Sequence, residues 1–205
     1  MKNPTVVKLG GSLLDLADLA PRLRDWLARQ RACSTVLVAG GGRMADVVRD
    51  ADRLHRLGET ASHWLCIRVM TINAELLAAL LPEASLCRSL ADWRSPKVDE
   101  ASCLVLDPWL FLHEEEPQVT GQTLPESWQV TSDSIAARFA AAIGAAELVL
   151  LKSALPEATW TLADAAAAGY VDEFLPRLAD ATPQIRCVNL RAAGFPQSIW
   201  QHGSP

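Results

Sequence analysis

Two short β-branched runs end in consecutive glycines: residues 5–9 (T-V-V-K-L) meet Gly10-Gly11, and residues 34–39 (S-T-V-L-V-A) meet Gly40-Gly41-Gly42. A helical apolar spacing through Leu19, Leu23, Trp26 and Leu27 follows the first of them. A buried strand that turns through glycine into a helix exposes backbone N–H groups in a concavity and aims the positive end of the helix at it. Such a concavity suits an anion. One turn is weak evidence, since each charge–dipole contribution is worth only about 0.3–1 kcal/mol when exposed. Taken alone, Gly10-Gly11 has a tight strand–helix turn as its lesser reading. Two turns, one preceded by Lys8 on its strand, point to phosphate. For Gly40 to Gly42 a rival stands, because G-G-G-R-M-A fits the dinucleotide pattern G-x-G-x-x-A. That pattern asks for a helix, a strand and an acidic residue roughly 20 positions on. Here the helix leads to Gly58 and a second helix instead. No G-x-x-x-x-G-K-[ST] run occurs, so this is not a P-loop chain.

The rest of the chain alternates strand-like and helix-like segments, which makes the fold class α/β. Helices are expected over about 17–30, about 44–57 with Gly58 as C-cap, about 61–81 stopped by Pro82, and about 132–143, with one more around Tyr170 and Phe174. Strands are expected at 102–106, 147–152 and 185–188, before a Pro/Gly-containing tail. Residues 114–125 hold Glu114-Glu115-Glu116, two prolines and Gly121, and read as a loop with a solvated charge run. Half of the 205 residues are hydrophobic, enough for one domain over 1–205. A net charge of −5 without a Lys/Arg cluster excludes a nucleic-acid partner. Five cysteines with no C-x-x-C pair carry no metal spacing and are expected to be free or buried thiols in a reducing compartment. The seven tryptophans are expected in the core or an interface. Lys2 and Asn3 lead straight into a strand, so no signal peptide is expected. The longest apolar stretches are interrupted by Arg138, Glu147 and Asp164, so none is expected to span a bilayer and a cytoplasmic location is the default.

Four motifs resemble the amino acid kinase family. V-V-K-L-G-G-S-L is similar to its opening strand and first glycine loop, and V-L-V-A-G-G-G-R to its second. T-S-D-S-I-A-A is similar to its aspartate-bearing helix start, and L-V-L-L-K to its late nucleotide-side lysine. They occur in the family's order over residues 5–152. Within the family, A-D-V-V-R, A-S-H-W-L-C-I-R-V-M and W-Q-V-T-S-D-S-I-A are similar to the branch that phosphorylates (5-aminomethyl-3-furyl)methyl phosphate for methanofuran biosynthesis. The resemblance implies a three-layer αβα sandwich around a central, mostly parallel sheet. It implies an acceptor side over about 1–130 and a shortened nucleotide side over about 131–205. It further implies ATP with Mg²⁺ carried by the phosphates rather than by protein ligands, a small-molecule phosphate acceptor, and a homo-oligomer.

Carried over residue by residue, Lys8 would contact the transferring phosphoryl group, Lys152 the nucleotide phosphates, and Asp133 would orient both ammoniums. Gly10, Gly11 and Ser12, with Lys152 and Ser153, would hold the donor phosphates. Gly40, Gly41, Gly42, Arg43, His63, Thr131 and Ser132 would hold the acceptor. Arg49 and Arg68 join Arg43 as phosphate candidates because guanidinium matches phosphate in bidentate fashion. Each is equally a solvated helix-face residue. His63 reads equally as a satisfied, half-buried histidine, and one of Thr131, Ser132 and Ser134 as a helix cap. After the late lysine the family usually reads D-V-D-G or T-D-V-D-G, whereas Ser153-Ala154-Leu155-Pro156 stands here. That departure keeps open a nucleotide- or anion-binding protein without turnover. A kinase for another acceptor, such as an isoprenoid phosphate, stands beside it.

Overall fold

The computed structural model describes residues 4–31, 33–99 and 101–200. Among them, seven strands form one sheet: β1 (Thr5–Leu9), β2 (Thr35–Ala39), β3 (Ser85–Cys87), β4 (Cys103–Leu106), β5 (Glu147–Lys152), β6 (Gln184–Asn189) and β7 (Gln197–Trp200). Their order is β3-β4-β2-β1-β5-β6-β7, and every pairing is parallel except β6 with β7. The helices are α1 (Leu19–Ala28), α2 (Gly42–His55), α3 (Glu59–Leu80), α4 (Leu90–Trp93), α5 (Pro108–Leu110), α6 (Ser132–Ile143) and α7 (Leu162–Ala167). The layers are those expected of a three-layer α/β sandwich.

Parallel strands covered on both faces read as continuous apolar runs, and β2 is buried at all five positions. Alternation along β1 then decides which face each residue serves. Val7 and Leu9 face a core shared with Leu19, Leu23 and Trp26 of α1. Val6 faces the core of α6, built on Ile135, Ala136, Phe139 and Ala140. Lys8, two residues after Val6, faces α6 as well. α3 serves both cores, through Ile67 and Met70 on one side and Ala74 and Leu77 on the other.

Chain order creates the crevice. From β1 the chain moves to β2 on one side, and later returns to β5 on the other, so β1 lies at the point where the winding reverses. Ligands of open α/β sheets bind outside the carboxyl ends of strands at such a point. Both glycine runs and Lys152 emerge there.

Several local expectations change. Gly58 does not cap α2; Arg56 takes the left-handed conformation (φ 55°), and Gly58 (φ 87°) precedes α3 with its N–H donated to Asp52 Oδ1 at 3.0 Å. The left-handed turn expected of glycine falls on Arg56, whose N–H donates to Asp52 O at 2.7 Å. Tyr170 and Phe174 lie beyond α7, in irregular chain before a 3₁₀ segment at Leu175–Ala181. The tail forms β7 against β6. The short β3 and α4 carry too few residues for a period to register. α3, by length and composition, is long and apolar enough to cross a membrane, which the interruptions noted in the sequence did not address. Its inner side packs on β2, β3 and β4, with Ser62, His63 and Asn73 buried, while Leu65, Ile72 and Leu76 are exposed.

The acidic run is not a solvated loop. It winds into a π-helical turn at Phe111–Glu115 and a 3₁₀ turn at Glu116–Gln118, and Glu116 is buried. Glu115 accepts from Leu90 N. Glu116 Oε1 accepts from Arg138 Nε at 2.7 Å, and Arg138 also donates to the carbonyls of Val119 and Thr120. A buried charge is tolerated only when paired and fully hydrogen-bonded, which is why an arginine sits inside the apolar α6. Removing one partner of a buried pair costs about 3–5 kcal/mol. Arg138→Ala is therefore expected to lower the thermal midpoint by roughly 10 °C, at about 2–4 °C per kcal/mol for a chain of this size. Thermal unfolding followed by circular dichroism checks this.

Candidate active site

The two glycine loops touch each other. A Cβ on Gly11 would lie 2.2 Å from Gly42 N, and one on Gly42, whose φ is +58°, would lie 2.8 Å from Gly11 O. Only glycine permits this backbone-to-backbone approach. Behind the second loop stands Asn73 of α3, fully buried, whose Nδ2 donates to Gly40 O at 2.7 Å and Gly41 O at 2.9 Å. In a trans peptide the C=O and the following N–H point opposite ways. Pinning those carbonyls toward α3 thus turns the N–H groups of Gly41 and Gly42 away from it.

Asp133, in the first turn of α6, lies between two lysines. Lys8 Nζ is 2.8 Å from Oδ1, a contact ion pair off the hydrogen-bond axis, and Lys152 Nζ donates to Oδ2 at 2.9 Å. Lys8 and Asp133 are 5% and 3% exposed, so water contributes little to their solvation. Burial pushes the Lys8 ammonium down and Asp133 pulls it up, Lys152 opposes it, and the net is a fall from 10.5 to about 8. Burial raises Asp133, but Lys152 and Lys8 outweigh it and hold the carboxyl at about 2. Near neutral pH the trio therefore carries two positive charges and one negative. Lys152 Nζ also donates to Tyr170 O at 2.7 Å, so it is aimed by two acceptors.

The start of α6 is capped from a distance. Asp172 Oδ2 accepts from Thr131 N, Thr131 Oγ1 and Ser134 N, and Asp172 Oδ1 from Ser134 Oγ and Leu175 N. Burial raises this carboxyl, and Asp133 nearby adds to the rise. Thr131 and Ser134, weighed as caps or substrate contacts, are thus committed to Asp172.

A cavity of about 190 Å³ opens beside the loops, lined by Gly11, Gly41, Gly42, Arg49, His63, Cys66, Trp128, Thr131 and Ser132 among others. Its roof is the segment carrying Ser127 and Trp128. Trp128 Nε1 donates to Asp52 Oδ2 at 3.0 Å, and the Arg49 guanidinium stands 5.4 Å from the Trp128 ring. His63 Nδ1 is 3.4 Å from Ser127 O, and burial lowers its pKa, which leaves the ring neutral. Across Gly11 and Gly42 a second cleft is lined by Ser12, Asp15, Arg43, Asp46 and Arg49. There Arg43 pairs with Asp15 at 3.0 Å and Arg49 with Asp46 at 2.6 Å. Arg68 lies outside both linings, with its guanidinium stacked on Trp109 at 3.2 Å. Trp109 in turn contacts Trp64 and His113, so these aromatics cluster.

Ser12 Oγ and Ser153 Oγ are 2.8 Å apart, joining the first glycine loop to the end of β5. Arg191 reaches both loops, and neither it nor Asn73, Asp172 or Trp128 was singled out as a site residue in the sequence. Asn73 carried one signal, a lone amide in an apolar helical stretch, and Trp128 another, as the first residue of W-Q-V-T-S-D-S-I-A; Arg191 and Asp172 carried none. Among the described residues no group of three His, Cys, Asp or Glu could hold a metal. The thiols of Cys87 and Cys187 are pushed up to about 12 by burial, so they are unreactive packing groups.

Asp133 is a source of positive shift for Lys8. Asp133→Asn is expected to move the Lys8 titration below about 8, read from its side-chain NMR shift against pH. The same change should cost about 3–5 kcal/mol of stability, because two cations lose their common anion.

The sequence profile of the amino acid kinase family matches residues 3–154. The chain is 28% identical over 131 residues to [5-(aminomethyl)furan-3-yl]methyl phosphate kinase of Methanocaldococcus jannaschii, a match covering 63% of this chain. It spans only 56% of that relative's length. Uridylate kinase from Archaeoglobus fulgidus has a similar structure, with a TM-score of 0.61 at 18% identity over 91% of this chain and 90% of that one. UMP kinase from Ureaplasma parvum gives 0.63 at 14% identity over 95% and 93%. Because the profile match runs through both glycine loops, Asp133 and Lys152, the chain belongs to the amino acid kinase family and carries its fold.

Proposed function

We propose that the protein is an ATP-dependent kinase that phosphorylates a small phosphate monoester, with (5-aminomethyl-3-furyl)methyl phosphate as acceptor. The observation that carries the reading is the buried Lys8–Asp133–Lys152 trio at the carboxyl ends of β1 and β5. Its surplus positive charge has no counterpart among the groups that contact it, and it lies beside backbone N–H groups freed by the glycine loops. Those features suit the equatorial oxygens of a phosphoryl group in flight.

In the proposed reaction an acceptor phosphate oxygen attacks the γ-phosphorus, and the bond from that phosphorus to the bridging oxygen breaks. The products are a diphosphate and ADP. The attacking oxygen is already anionic, so no general base is required. Lys8 neutralises the moving group, Lys152 the donor phosphates, and Asp133 holds the two ammoniums apart and aligned. Gly11, Ser12 and Ser153 would donate on the nucleotide side; Gly10, expected to join them, instead spends its N–H on Leu151 O at 2.8 Å. Gly40 to Gly42, Thr131 and Ser132 would border the acceptor, with Arg43 and Arg49 at the cleft mouth. Mg²⁺ arriving with ATP would neutralise its phosphate oxygens.

For the acceptor's ring, Trp128 offers a flat wall. For its ammonium, the neutral His63 ring and the Ser127 oxygens offer acceptors. No carboxylate lines this cavity among the described residues, while Ile67, Met70, Val130 and Ile135 do. That apolar share favours, as a second reading, an isoprenoid-type phosphate acceptor.

Incubation with ATP and each phosphate monoester, with product followed by mass spectrometry, decides between them. Diphosphate formation from the aminomethylfuran compound is the expected result. Nucleotide binding without transfer to any monoester would leave a non-catalytic binding protein. Lys8→Ala and Lys152→Ala are each expected to lower kcat by about 100-fold, from charged hydrogen bonds worth about 1.5–3 kcal/mol. The reaction needs Lys8 protonated, so kcat/KM should fall as pH rises through about 8.

A further inference from the structure

We propose that Arg191 is a donor-phosphate ligand, reaching in from the β6 side to grip the phosphate chain of a nucleoside triphosphate. The proposal rests on the reading of Gly10 to Ser12 and Lys152-Ser153 as the donor side. β6 runs alongside β5 with Asn189 opposite Lys152, and Leu190 N donates to Lys152 O at 3.0 Å. Asn189 Oδ1 then accepts from the N–H groups of Arg191 and Ala192, at 3.0 and 3.1 Å. That turn bends the chain back over the carboxyl edge of the sheet toward β1.

Arg191 Nε donates to Ser153 Oγ at 3.1 Å, and Nη2 donates to Ser12 O at 2.9 Å. The guanidinium therefore spans the two loops assigned to the donor phosphates, which are themselves joined by the Ser12–Ser153 hydroxyl pair. Nearby arginines are neutralised: Arg22 by Asp18 and Arg43 by Asp15. Arg191 forms no salt bridge with a carboxylate among the described residues, and its side chain is held only by neutral oxygens. It is exposed, so a ligand can reach it. A guanidinium has five N–H groups in a planar fork, and Nη1 takes no part in these contacts. A phosphate set against Ser12 and Ser153 would meet that free edge in the geometry guanidinium favours. Arg191 thus puts a cation where Ser153-Ala154-Leu155-Pro156 replaces the family's acidic glycine loop.

The test uses the intact protein with Arg191→Ala and Arg191→Lys, measuring affinity for ATP, ADP, AMP and adenosine by calorimetry and transfer by steady-state kinetics. A charged hydrogen bond lost at an exposed position should weaken ATP binding about ten-fold to thirty-fold. The loss should shrink from ATP through ADP to AMP and vanish for adenosine. The acceptor KM and thermal midpoint should stay near wild type, and free guanidinium at tens of millimolar should restore part of the ATP affinity of Arg191→Ala. Unchanged ATP affinity overturns the proposal. So does an equal loss for all four ligands, or a fallen midpoint without guanidinium rescue, either of which would make Arg191 a loop latch only. Wild-type protein that binds none of the nucleotides overturns the donor-side reading itself, whatever the variants do.

Discussion

A carboxylate buried between two ammoniums sets the terms for much of this structure. Lys8 sits on a central strand with Val38 and Leu150 as its apolar cross-strand partners, and an ammonium there is tolerable only because Asp133 stands 2.8 Å away. Asp133 in turn has to be delivered to that spot, which fixes where α6 begins relative to β1. Asp172 closes the arrangement by taking up the free N–H groups at the start of α6 that lie closest to the site. The result is a polar seam through a parallel sheet, with each charge dependent on the next. The same low dielectric that makes such a seam costly would strengthen the grip on an anion proposed for it.

The parts of this architecture legible in sequence were those with a local chemical signature. β1, β2, β5 and α6 follow from β-branched runs, glycines and apolar spacing, and their observed bounds lie within a residue or two of expectation. Lys8, Asp133 and Lys152 were named from motif resemblance, and the structure brings all three together. Hidden were interactions between residues far apart in the chain. Glu116 looked like one charge in a solvated run because nothing local reveals that Arg138, 22 positions on, is buried opposite it. Asp172 looked unremarkable because its five bonds are made to α6 and to its own turn. Gly58 was misplaced by one role: glycine signals a left-handed turn but not which helix the turn belongs to.

The two flanks proposed for acceptor and donor also differ in how they are held. On the flank proposed for the acceptor the walls are α2 and α3, closed by an irregular segment that Trp128 ties to Asp52. On the donor side β5 passes into irregular chain, and the order comes from side chains: Tyr170 OH on Ala154 O, Lys152 on Tyr170 O, and Arg191 across to Ser12. A nucleotide site there, as proposed, would lean on a few cross-chain bonds.

The backbone contact between Gly11 and Gly42 carries a mechanical consequence. With no side chain between them, the two loops are already at closest approach, so the site cannot tighten by drawing them together. They act as a fixed anvil. Any clamping around bound molecules has to come from the outer jaws, the roof at Ser127-Trp128 on one flank and the turn after β6 on the other. Under the proposed function, the distance between donor and acceptor would be set by unyielding main chain, with only the grip on each adjustable.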